Sequence, residues 1–426
     1  MNNAKRCIKT AIGNYSIKLS VFLFSLQDRG GLWKGLFSCY KSLLHKLNLS
    51  IFPVVDANAY KEKTGNVQIT VLERDRAGRT GRIQMARMAP ENEGSEVPLS
   101  DLTLQEYHNV CIRGNSDIIV DADNGYVISE VSYNLASNEE VVDGLLYRTR
   151  KRVCLLRDNL SHQKEKITSG IMISGKFCKN YYHLIYENLI RLLYVDQAGI
   201  PEDVSILIDK GTLEIPSCKR IFEILTEDSG REIRVIDETH MYLIETLYCF
   251  SRVNKLPAHS INPHISVPVV YYPKSIKLLK EKLIEKRSHN VFPERFFISR
   301  KSLRGRQFNE DDVFEKLEKF GFARVSPEQY SIEDQMSLFN GAEFIVSGSG
   351  AALTNLLFVN SNCTVICFGR GNYDQPHNVP VFSTIAEING ANFYFFPRKT
   401  SVKNNIHINY EIDCEDFEKW FQSIIK

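Results

Sequence analysis

The chain has 426 residues, more than one ordinary hydrophobic core accommodates, so two domains are expected. Hydrophobic residues at 43% and charged residues at 24% match a soluble globular protein, and a formal net charge of +2 excludes a global bias toward nucleic acid. Ten cysteines without CxxC spacing exclude a zinc site of the usual kind and read as free thiols in a reducing compartment.

The charge is uneven along the chain. Residues 1–50 hold eight Lys/Arg and one acid, a net of +7, so against the total of +2 the remainder carries −5. Within them LWKGLFSCYKSLLHKL repeats apolar residues three and four apart. Such a basic amphipathic helix suits an anionic membrane surface, or else it packs on the protein body. The apolar run Leu19–Leu26 is too short to span a bilayer, which needs about 20 residues.

Residues 51–160 read as short strands (VQITVLER, HNVCIRG, DIIV, YVISEVSY), with Ala86–Ser100 as an exposed loop. Asp121 and Asp123 form an Asp-x-Asp pair, a pattern that can hold a divalent cation under a diphosphate. They lead into Asn124-Gly125 between two strand-like runs, so a hairpin turn is the better reading and no metal site is expected. From Thr168 the rhythm becomes α/β. TSGIMISG is a strand, NYYHLIYENLIRLLYVDQAG a long helix, and VSILID, EIRVID and MYLIETLYCFSR further strands, which implies a parallel sheet flanked by helices. On the long helix His183 and Glu187 lie one turn apart, with Arg191 extending the stripe. They form either a catalytic pair, with Glu187 tuning His183, or an exposed ion-paired face.

A second α/β unit follows the proline-rich stretch 255–294. Its first strand runs into four cations, Arg300, Lys301, Arg304 and Arg306, where α/β folds place ligands. Asn309 is placed to start a helix that opens with acids. A later strand runs into SGSGAALTN. There Gly348 and Gly350 permit positive φ and close approach of a ligand, Ser349 and Asn355 add donors, and the next helix offers its positive end to phosphate. Leu353 occupies the third glycine position of a dinucleotide fingerprint, and no GK[ST] follows, so a Walker loop is excluded.

The order of these pieces resembles glycosyltransferase family 61. The matching pieces are Asn180–Arg191, Ile298–Arg306, Asn309, Gly321–Glu328, Gln335, Ala342 and Gly350–Phe358. Where family members often read G-x-H-G, this chain has Ser347-Gly348-Ser349-Gly350, so Ser349 can donate to phosphate but carries no charge. The resemblance implies an α/β fold of GT-B type: two Rossmann-like domains facing a cleft, with a β-rich N-terminal part. On that basis 1–50 is a basic segment, 51–270 the β-rich region plus acceptor-side domain, 271–410 the nucleotide-sugar domain, and 411–426 a terminal helix. It implies an inverting, metal-independent transfer that requires no cofactor beyond the nucleotide-sugar donor. His183 and Glu187 would be catalytic. Arg300, Arg304, Arg306, Gln335, Gly348, Ser349, Gly350, Ala351 and Asn355 would bind the donor. The expected acceptor is a glycan or lipid-linked glycan of a bacterial surface polysaccharide, at the inner face of the plasma membrane. A catalytically silent nucleotide- or glycan-binding protein is the alternative, and a nicotinamide oxidoreductase a more distant one.

Overall fold

The structure is a computed structural model that describes residues 17–19, 21–22, 31–46, 49–81, 84–86, 94–129, 146–150, 152–156, 165–256, 269–301, 305–369, 380–398 and 409–425. It is a mixed α/β fold. Helix α1 (Gly31–Lys46) precedes β1 (Ser50–Val55), α2 (Ala57–Thr64), β2 (Val67–Glu73), β3 (Arg76–Arg79), β4 (Glu96–Leu99), β5 (Leu102–Ile112), β6 (Ile119–Asp121), β7 (Tyr126–Ile128), β8 (Leu146–Arg150) and β9 (Val153–Leu156). Then come β10 (Glu165–Met172), β11 (Ser205–Asp209), α3 (Pro216–Thr226), β12 (Ile233–Ile236) and β13 (Tyr242–Phe250).

All of these strands except β3 and β4 join one sheet, in the order β12-β11-β10-β13-β5-β6-β7-β1-β9-β8, with β2 also paired to β5. Strands β12, β11, β10 and β13 are parallel, as the βα alternation requires. Strand β5 then pairs antiparallel with β13, placing Tyr107 opposite Leu247 and Val110 opposite Ile244. The β-rich region and the α/β region therefore share one sheet. Part of the stretch read as a loop, Glu96–Leu99, is strand β4, paired with β3. Arg76 fixes this ribbon by donating to the carbonyls of Ser100, Val253 and Arg252.

The β6–β7 connection is the hairpin turn expected at Asp121. That buried carboxylate accepts from the backbone N–H groups of Asp123 and Asn124, from the Asn124 amide and from the Tyr60 hydroxyl. Gly125 has φ 75°, the left-handed position such a turn needs.

The second unit comprises α4 (Pro273–Ile284), β14 (Arg295–Ile298), α5 (Glu310–Glu318), β15 (Ala323–Val325), α6 (Ile332–Asn340), β16 (Phe344–Gly348), β17 (Thr364–Phe368), α7 (Pro380–Ile388), β18 (Asn392–Phe396) and α8 (Cys414–Ile424). Its five strands are all parallel, in the order β15-β14-β16-β17-β18. Successive residues of each strand point to opposite faces. Phe297, Val346 and Ile366 pack with Val313 and Leu317 of α5 and with Phe417 and Phe421 of α8. Phe296, Ile345 and Val365 join a larger apolar cluster that also holds Ile171, Ile206 and Tyr248 of the first sheet. One continuous core thus links the two sheets.

The stretch NYYHLIYENLIRLLYVDQAG is not the regular α-helix its periodicity predicts. Asn180 caps it by accepting from Tyr182 N–H at 3.1 Å. A single α-turn (Tyr181–His183) then widens into a π-turn (Leu184–Asn188) and tightens into 3₁₀ turns (Leu189–Tyr194, Asp196–Ala198). Three tyrosines on it reach different partners. Tyr181 donates to Asn355 Oδ1 at 2.7 Å, Tyr186 donates to the Thr354 carbonyl at 2.9 Å, and Tyr182 shares a hydrogen bond with Tyr271. Meeting all three is incompatible with a uniform 3.6-residue turn, and π-turns of this kind concentrate at functional sites.

At the N-terminal end, Leu44 of α1 packs with Ile17, Ile51, Val153 and Leu155 in a small satellite core, while Leu36 and Leu43 are exposed. Among the described residues no helix is long and apolar enough to cross a membrane.

Tyr186→Phe removes the donor to the Thr354 carbonyl and leaves that buried acceptor unpaired. Urea unfolding is expected to show a loss of about 1–3 kcal/mol with an unchanged m-value.

Candidate functional site

Because β14, β16 and β18 are parallel, the residues that follow them emerge at one edge of the second sheet, where open α/β sheets bind ligands. Arg300 follows β14, the Ser349–Gly350 turn follows β16, and Arg398 follows β18.

Arg300 is held from its backbone. Glu310, buried at the start of α5, accepts from Arg300 N–H at 2.9 Å and from the Ser299 hydroxyl at 2.6 Å. The acid predicted to favour the helix dipole therefore also anchors the basic loop. The Arg300 side chain is 8% exposed, and its buried Nε has no partner among the described residues. Its guanidinium lies against Gly350: a Cβ built there would come within 2.2 Å of Nη1. At Gly348 a Cβ would meet the Tyr410 hydroxyl oxygen at 2.6 Å. Both glycines are thus required by close approach of side chains. Positive φ is not the reason; Gly350 is extended at φ −176°.

Arg306 reaches the same turn, donating from Nη1 to the Ser349 carbonyl at 3.0 Å. Its backbone and that of Gly305 are left-handed, at φ 55° and 76°. Burial lowers the pKa of Arg306, and the charges of Arg300 and Arg398 lower it further, with Tyr410 opposing. The guanidinium groups of Arg300 and Arg306 therefore meet at the glycine turn, with the charge of Arg398 close enough to act on Arg306. Of the other loop cations, Lys301 turns away to pair with Asp311 at 2.6 Å, and Arg304 lies outside the described residues.

The helix after the turn differs from expectation. Ala351–Leu357 is a seven-residue 3₁₀ helix, too short and too tight to present a strong positive end. Ser349 and Ala351 are exposed at its mouth, whereas Asn355 is buried. The Asn355 amide donates to Gln335 Oε1 at 2.7 Å, and Gln335 donates to the Tyr330 carbonyl at 3.1 Å. With Tyr181 on Asn355 Oδ1, these amides form a buried brace behind the turn.

Asn309 also departs from its expected role. Its side chain makes no capping bond. It donates to the Ile412 carbonyl at 3.0 Å and accepts from Ile412 N–H at 2.8 Å, while Tyr410 N–H donates to the Gln307 carbonyl. The segment before α8 is thereby fastened onto the basic loop.

His183 and Glu187 are not an exposed stripe. His183 is 6% exposed, and its Nδ1 meets Glu187 Oε1 at 2.5 Å. Burial alone would raise the Glu187 pKa. The His183 hydrogen bond and the charges of His183, Arg252 and Arg191 outweigh it and hold the carboxyl below the usual glutamate value. Arg191 is buried and donates to the Ser174 carbonyl at 3.4 Å. Phe177, at φ 64°, rests its ring 4.8 Å from His183. This loop is gathered by Asp209, which accepts from the Ser174 hydroxyl and from Gly175 and Asn115 N–H groups; burial pushes its pKa up to about 6. A cavity of about 610 Å³ opens beside this region, with Asp101, Gln105, Ser251, Arg252 and Asn254 on its walls. Asn254 donates to the Tyr186 carbonyl, one residue from Glu187.

Arg398 and Tyr410 have no counterpart in the sequence reading. The signal for Arg398 was available: like Arg300, it lies two residues beyond an apolar strand.

Residues 181–366 match the Glycosyltransferase 61 family, a match that supports a glycosyltransferase. No curated protein matches the chain. The matched segment contains His183, Glu187, Arg300, Arg306 and the glycine turn, and ends before Arg398 and Tyr410.

Gly350→Ala is expected to destabilise the protein by about 1–3 kcal/mol, because its methyl group and the Arg300 guanidinium cannot both fit. In an Arg300→Ala background the same change should cost much less. Additive losses in unfolding midpoint would show that the two groups do not compete for space.

Proposed function

We propose that the enzyme is an inverting, metal-independent glycosyltransferase of GT-B type that moves a sugar from a nucleoside-diphosphate donor to a glycan acceptor. The meeting of Arg300 and Arg306 at a bare glycine turn, with the charge of Arg398 nearby, carries this reading. Burying guanidinium groups beside one another is unfavourable unless an anion joins them, and Arg suits bidentate contact with phosphate oxygens. A five-stranded parallel sheet and the parallel β12-β11-β10-β13 portion of the first sheet, sharing a core, support the GT-B assignment.

In the proposed reaction His183 is the base. Glu187, ionised and bonded to Nδ1, orients the ring and stabilises its charge after proton uptake, which directs proton transfer to Nε2. Nε2 takes the acceptor hydroxyl proton as that oxygen attacks the anomeric carbon. The bond from carbon to the phosphate oxygen breaks with its electron pair on the leaving diphosphate, and the configuration inverts. The arginines stabilise the charge that develops on the leaving group. The cavity beside Arg252 is where the acceptor would enter.

Arg300→Ala is expected to abolish thermal stabilisation by a panel of nucleoside diphosphates, which wild type should show. His183→Ala should keep that stabilisation and lose turnover by about 10²–10⁴-fold. Full turnover in His183→Ala would remove His183 as the base.

The acceptor is proposed to be lipid-linked and part of a bacterial surface polysaccharide, met at the inner face of the membrane. The exposed Leu36 and Leu43 support this, on a helix whose only charged residues are Lys34, Lys41 and Lys46. Substituting both leucines with Glu should reduce co-sedimentation with phosphatidylglycerol vesicles without lowering the melting temperature. Equal binding by the variant would remove α1 as the contact.

A further inference from the structure

We infer that the chain beyond the matched family segment supplies two further donor-binding groups, the Arg398 guanidinium and the Tyr410 hydroxyl, which hold phosphate oxygens of the leaving diphosphate. This inference rests on the reading of the pocket as the donor site.

Both side chains are nine-tenths buried, at 8% and 9% exposure. Arg398 Nε and the Tyr410 hydroxyl have no hydrogen-bond partner among the described residues, and the same holds for Arg300 Nε. Unpaired buried polar groups are rare in native structures, and three clustered around Tyr410, beside the glycine turn, define a place for a ligand with several acceptor oxygens. Arg398 lies over the Tyr410 ring, 4.7 Å from its centroid. That ring stacks on Phe308, with centroids 5.0 Å apart and planes 10° from parallel. Tyr410 is thus fixed by its ring, and its hydroxyl stands over Gly348, where a Cβ would come within 2.6 Å. Burial holds the phenol pKa above its ordinary value even though Arg300, Arg398 and Arg306 pull it down, so it remains a proton donor at neutral pH. Burial lowers the pKa of Arg398, and only Tyr410 and Cys367 act to raise it. A phosphate group would supply the missing opposite charge.

The pairing of residues 409–412 with the loop Gln307–Asn309 holds Tyr410 in place, so the basic loop and the segment before α8 form one wall.

Tyr410→Phe tests the hydroxyl alone, because the ring and its stacking remain. In the full-length protein the ligand-free melting temperature should stay level or rise, since an unpaired buried hydroxyl is removed. Affinity for inorganic pyrophosphate, and for whichever of UDP, GDP, CDP, ADP and dTDP binds wild type, should fall about tenfold by calorimetry without divalent cation. Arg398→Gln should lower both affinities at least as much. Wild-type affinity in Tyr410→Phe and Arg398→Gln, with affinity lost in Arg300→Ala, would overturn this inference and leave the donor pocket standing. Unchanged affinity in all three would overturn the donor pocket as well. Should Arg398→Gln not fold, Tyr410→Phe decides alone.

Discussion

Three arginines, Arg300, Arg306 and Arg398, with no acidic side-chain partner for their guanidinium groups among the described residues, shape the ligand-facing edge of the second sheet. A guanidinium loses hydration on burial and is retained only where geometry compensates. Here the compensation for Arg300 begins at its backbone, which Glu310 fastens, while the side chain is left to lie against a glycine. The bare strand end at Gly348 and Gly350, the buried phenol of Tyr410 and the locked loop Gln307–Asn309 all follow from keeping the arginines close together. The site is preorganised in the electrostatic sense: its dipoles and charges are in place before a ligand arrives.

A second set of contacts connects this pocket to the buried His183–Glu187 pair. The π-turn at Leu184–Asn188 lets one short helical segment send Tyr181 to Asn355, Tyr186 to Thr354 and Tyr182 to Tyr271 while bringing His183 against Glu187. Asn355 and Gln335 serve as rigid links in this arrangement, with their amides spent on protein partners. Ser349, which replaces a histidine common at this turn in the family, offers its carbonyl to Arg306. The charge at the turn comes from arginines carried by two segments, the loop after β14 and the end of β18.

Much of the fold was legible in the sequence because strand and helix periods are local. VSILID, EIRVID and EFIV became strands within a residue or two of their apolar runs. Long-range competition for partners was not legible. The tyrosine-rich helix is irregular because its hydroxyls are bonded to residues far along the chain. Asn309 abandons its capping bond for Ile412, about a hundred residues away. Arg300 and the glycine turn stood out from composition and spacing. Arg398 offered the same strand-end signal as Arg300, but Tyr410 comes beside it only through a ring stack, which a linear reading does not reveal.

The shared core between the two sheets bears on how the enzyme moves. A hinge that swung the sheets apart would expose Phe296, Ile345 and Ile171 to water and break the bonds from Tyr181 and Tyr186 to the helix after the glycine turn. Opening of that kind is energetically closed to this molecule. The spacing between the tyrosine-rich helix and the turn at Gly350 is therefore set by the buried core and by these two hydrogen bonds.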